Sequence, residues 1–308
     1  MKVVRIVHAR AGVAVALIIT GHWLTVSSLP ADTVTLSPVA DTTLQEAFPD
    51  YNFGDGTSFQ AGGRRYGGRA RGLLRFDSSA IPAGATIKTV TLQLTVIETP
   101  SGGVNSVFDV HRVEASWGEG SGSDHRGTPG VAGEATWNNR LGLGSPWLIP
   151  GGDFAPRASA SLAIAADGAY TFNSTTSFVS DVQRWVDNPE SNFGWILRSE
   201  SEGAPTTIRR FGSRDNLLSP PLLAIDFTPP GPRLTLIRIG SSGSAGQALA
   251  WPTNFTGFVV QCATNLPAVD SDWQRVSTQR SVRTQPTGLS EAIPSMRPAQ
   301  TVVEALQG

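Results

Sequence analysis

Along residues 32–227 the apolar positions fall into short runs with a period of two. Val90, Leu92, Leu94 and Val96 alternate with Thr91, Gln93 and Thr95. That alternation, rich in β-branched residues, predicts a strand with one buried face. Shorter strands are predicted at 73–76, around Leu162 and Ile164, and at 195–197, 208–211 and 222–227. Dense turn signals separate them, among them Asn52-Phe53-Gly54-Asp55-Gly56, Pro82-Ala83-Gly84 and Pro150-Gly151-Gly152-Asp153. One segment has a different period. Phe178, Val179, Val182, Trp185 and Val186 recur at helical spacing, with Ser174, Thr175 and Thr176 as candidate N-caps and Asn188-Pro189 as the stop. The expected fold is all-β: an antiparallel, jelly-roll-like β-sandwich with one short helix laid across an end and its aromatic stripe in the core.

The flanking segments read differently. Residues 1–31 resemble a secretory signal peptide, with Lys2, Arg5 and Arg10 ahead of the apolar run 11–20 and a small residue, Ala31, at the end. An uncleaved membrane anchor is the rival reading. Residues 228–233 are a proline-rich linker. Strands expected at 234–239, 248–251, 257–263 and 273–276 make a small, incomplete β module. From 277 to 308 the chain turns polar and aperiodic, which predicts a disordered tail.

Composition narrows the function. Charged residues are 16% of the 308, with 33 glycines and 21 prolines, which excludes a coiled coil or a helical bundle. Net charge is −1, and removing the basic leader makes the remainder more acidic, so no field for nucleic acid exists. Cys262 is the only cysteine, which excludes an intrachain disulfide and a cysteine zinc site. His111 and His125 are the only histidines after the leader, too few for a multi-histidine metal site.

The run from Arg69 to Ile87, RARGLLRFDSSAIPAGATI, resembles the hallmark stretch of DNRLRE-type domains, which are similar to family 96 carbohydrate-binding modules. Asp41-Thr42-Thr43-Leu44, the tryptophan motifs around Trp117 and Trp137, Asn192-Phe193-Gly194-Trp195 and Arg209-Arg210-Phe211-Gly212-Ser213-Arg214-Asp215 agree with it in order. The trailing segment, with Trp251-Pro252 and Asp272-Trp273, resembles a fibronectin-like or immunoglobulin-like module that departs from its pattern after Val276. The resemblance implies an exported, non-catalytic module that binds a polysaccharide, and a monomer is expected. The alternative it leaves is a structural or adhesive surface sandwich.

Two sets of residues are candidates for chemistry. Trp117, Trp137 and Trp147, with Asn138 and Arg140, lie in a glycine-rich loop region that also holds Glu119, Asp124, His125 and Arg126. Indoles present flat apolar faces that suit sugar rings, so this region is either a glycan platform or a set of plugs for the sandwich. Asp41 and Asp226, on the first and last strands, are candidates to share a structural calcium; no other cofactor is expected. Arg209, Arg210 and Arg214 either grip an acidic sugar or pair with acids of their own chain.

Overall fold

The computed structural model describes residues 31–122 and 126–231 in full, and outside them the backbone of eight short strands. Residues 31–229 are one compact unit; residues 1–30 with 230–308 are another.

In the first unit a curled antiparallel sheet folds back on itself as a sandwich. One half runs Ala160–Ile164, Ser106–Arg112, Trp195–Ser199, Arg69–Phe76, Pro38–Gln45. The other runs Gly168–Phe172, Thr86–Glu98, Leu222–Thr228, Asp32–Leu36. Two short strands, Ser58–Gly63 and Arg209–Gly212, join the halves: the first pairs with Arg69–Phe76 and the second with Thr86–Glu98.

The predicted alternation sets the inner face. Val90, Leu92, Leu94 and Val96 point into the core with Phe59, Phe108, Phe172, Phe211, Leu223 and Ile225. Where the register shifts between Asp226 and Phe227, Lys88 is the extra residue on the long strand. Gly72 leaves room for the Phe59 ring, whose Cδ2 would lie 2.4 Å from an added Cβ. Phe59 in turn stacks on Phe211 with centroids 5.3 Å apart.

The helix Thr176–Asp187 closes this core with Phe178, Val182, Trp185 and Val186. Thr175 caps it, its Oγ1 accepting from the Phe178 N–H at 3.0 Å. Gln183 ties the helix to the long strand, accepting from the Ile87 N–H and donating to the Ala85 carbonyl.

A second apolar cluster lies on the outer side of the first half. Leu44, Leu73 and Ile196 face outward there and are covered by Val113, Trp117, Trp137 and Trp147 from the long connection after Ser106–Arg112.

In the other unit the backbone shows Thr235–Ile239 paired with Gly246–Pro252, and Phe258–Ala263 paired with Val3–His8 and Gln274–Arg275. Ala14–Ile18 also pairs with Val3–His8. Gln300–Glu304 pairs with Gly246–Pro252, a strand that the polar, aperiodic composition before it does not announce.

Candidate functional site

The outer side of the second half carries a concave surface. Alternation and a bulge place it: Phe59, Ala61 and Phe211 point inward, so Gln60 and Arg210 point outward, and the register shift between Arg210 and Phe211 makes Ile97 an extra residue that turns Glu98 outward although Val96 faces the core. Arg210 is the cross-strand partner of both Gln60 and Glu98. The hairpin after Ser58–Gly63 forms one wall. Its turn is closed by the Gly67 N–H donating to Arg64 O and the Arg64 N–H donating to Gly68 O. Gly67 and Gly68 have φ of +92° and +86°, a conformation that suits glycine. With glycines on both sides, Tyr66 has no core to enter and is 93% exposed. The Arg65 guanidinium sits 5.6 Å from its ring centre. Arg64 lies 5.3 Å over the Phe48 ring and donates through Nη1 to Gln45 Oε1 at 2.6 Å. Pro100 and Ile208 complete a cavity of about 360 Å³.

This surface combines exposed aromatic rings with guanidinium, amide and carboxylate groups. Burial lowers the Arg64 pKa from the usual arginine value, and an arginine so placed is still a cation at neutral pH. Arg210 Nη1 meets Glu98 Oε2 at 2.6 Å. Rings of this kind offer faces for stacking, and the polar groups offer donors and acceptors for hydroxyls.

The three tryptophans that the sequence leaves as platform or plugs lie elsewhere. Trp117, Trp137 and Trp147 are only 2–3% exposed and belong to the outer core. Their burial has a local cause. The strand Arg69–Phe76 turns Arg69, Arg71 and Arg75 to its outer side, and the indoles cover these cations. Trp137 has the Arg69 and Arg71 guanidiniums each 5.0 Å from its ring, and Arg75 lies 5.4 Å over Trp117. Trp117 Nε1 donates to Phe193 O and Trp147 Nε1 to Thr136 O. No ring face is left for a sugar, so of the two readings these three residues follow the plug and not the platform. Asn138 donates to Asp50 Oδ1, and Arg140 donates to Ser116 Oγ. Asp124 and His125 lie outside the described residues. Arg209 is fully buried and donates to the carbonyls of Val104, Ala165, Thr207 and Ile208.

Asp41 and Asp226 are not brought together. Asp41 is buried; its Oδ2 accepts from the Arg214 N–H at 2.7 Å, while its own N–H donates to Glu119 Oε1. Arg214 Nε also donates to Glu119 Oε1 at 2.7 Å. Burial pushes the Asp41 pKa up to about 7, with Glu119 and Asp215 adding to the rise against the opposing Arg214 hydrogen bond. Burial raises the Glu119 pKa too. Asp226 instead accepts from the Thr33 and Thr89 hydroxyls, which hold its pKa below the usual carboxylate value. The two carboxylates thus have separate sets of partners. Among the described residues, no group of three or more His, Cys, Asp or Glu is arranged to hold a metal ion.

Of the residues of the concave surface, only Arg210 is a candidate from the sequence. The signal was present in Gly62-Gly63-Arg64-Arg65-Tyr66-Gly67-Gly68: an aromatic residue between glycine pairs at a hairpin tip has nothing to bury against.

The first unit is an all-β sandwich with a hollow of exposed rings and hydrogen-bonding groups on one side. Residues 32–140 match the family model of carbohydrate-binding module family 96, so the first unit contains a domain similar to that family. The match includes Phe48, Gln60, Arg64, Tyr66 and Glu98, and Arg210 lies beyond it. No curated protein matches the chain. Among the described residues, no helix is long and apolar enough to cross a membrane.

Proposed function

We propose that the protein is an exported, non-catalytic module that binds a polysaccharide on the concave surface around Tyr66. The observation that carries this is the juxtaposition of an almost fully exposed tyrosine with Arg64, Arg65, Gln60, Arg210 and Glu98 around one hollow, in a unit whose residues 32–140 match a carbohydrate-binding family. Stacking on Tyr66 supplies the apolar contact. The guanidiniums and amides orient the sugar by hydrogen bonds.

Tyr66→Ala tests it. Retention on an immobilised polysaccharide panel is expected to fall, with the melting temperature within about 0.5 kcal/mol of wild type in stability terms, because an exposed side chain contributes little to the core. Undiminished retention rejects the surface. A wild type that no polysaccharide retains favours the second reading, a structural or adhesive surface sandwich; the burial of all three loop tryptophans supports that reading.

Export rests on the basic residues ahead of the apolar run 11–20. The expected product in an exporting host is a chain whose intact mass begins near Ala31. A full-length chain retained inside the cell contradicts it.

A further inference from the structure

The concave surface has a polarity of charge. At the hairpin end stand Arg64 and Arg65. At the opposite end stands Glu98, whose side chain is 57% exposed while its Oε2 receives Arg210 Nη1. Gln60, Arg210 and Glu98 occupy three adjacent strands as direct cross-strand neighbours. Strands in a sheet are about 4.8 Å apart, so the row spans ~10 Å, the scale of a disaccharide. It presents an amide, a donor fork and an acceptor in that order.

We propose that Glu98 is a specificity-determining residue of this surface: it reads adjacent hydroxyls of an uncharged sugar unit. The proposal rests on the carbohydrate-binding reading above. A carboxylate is an acceptor with about four lone-pair sites, and one ion pair leaves others open to solvent. A guanidinium is a donor only. Side by side, the two satisfy a vicinal diol, one hydroxyl donating to Glu98 and its neighbour accepting from Arg210. A sugar carboxylate at the same place meets the Glu98 charge at close range, and an acceptor faces an acceptor. Any charged unit of the glycan is therefore directed to the hairpin end.

The isosteric change Glu98→Gln tests this in the full chain at pH 7. Two probes are used, the neutral polysaccharide galactomannan and the anionic polygalacturonate, with Tyr66→Ala in parallel. Hydrogen bonds to charged groups are strong enough that their loss weakens binding roughly 10-fold. Glu98→Gln is expected to weaken retention by galactomannan by about that factor and to strengthen retention by polygalacturonate. If Glu98→Gln leaves both unchanged, or strengthens the neutral probe, while Tyr66→Ala loses binding, the role of Glu98 is overturned and the surface stands. If wild type binds neither probe, or Tyr66→Ala changes nothing, the surface falls and Glu98 with it.

Discussion

Asp41 carries the largest residue-scale consequence for pH. Burial opposes its ionisation, and its pKa rises to about 7 from an ordinary value of 3.8. Between those values the folded chain holds a proton that the unfolded chain has released. Stability from this group is therefore greatest below pH ~4 and is lost as pH climbs towards 7, by at most about 1.4 kcal/mol per pH unit. Glu119 acts in the same direction. Thermal melting should show a declining midpoint from pH 4 to 7, and Asp41→Asn should flatten that decline. An amide keeps an oxygen to accept the Arg214 N–H, so the variant should remain folded. An equal slope in both proteins would reject the assignment. Individual residues were unevenly legible in the sequence. Thr175 was readable as one of three candidate caps because helix starts have local chemistry. The fate of Trp147 was not, because a tryptophan suits a sugar face and a core equally, and only the outward-facing Leu73 cluster that it covers decides between them.

Elements behave as their periodicity predicts, and the connections do not. The alternation of Val90 to Val96 and the helical spacing of Phe178 to Val186 each specify a buried face, and both faces meet in one core. The connection after Ser106–Arg112 has no period. It is held by side chains reaching across the sheet, such as the Glu202 carboxylate paired with Arg71 at 2.7 Å, while Arg71 also donates to the Gly151 carbonyl. Such long-range partners leave no local trace, so this outer layer was invisible until the fold was known. The helix offers a direct test. Thr175 accepts from the Phe178 N–H and donates to the Ser159 carbonyl, joining helix to sheet. Thr175→Ala should cost about 1–2 kcal/mol in chemical denaturation, since cap loss alone costs that order. A change below a few tenths would mean the cap is dispensable.

At the scale of the whole molecule, residues 31–229 have their own core and their own candidate surface. That unit, expressed alone, should melt in a single cooperative transition and keep the full polysaccharide retention of the complete chain. Retention lost in the fragment yet present in the whole would place part of the binding outside it. The first and last strands of this unit, Asp32–Leu36 and Leu222–Thr228, are antiparallel neighbours, with Asp32 opposite Phe227. Both ends of the unit therefore leave from the same edge, side by side. Tension applied through the two ends would load that strand pair like a zipper, parting its hydrogen bonds in succession from Asp32 and Phe227 inward. A module anchored on one side and pulled from the other would yield at low force there, releasing its outermost strand before the concave surface is disturbed.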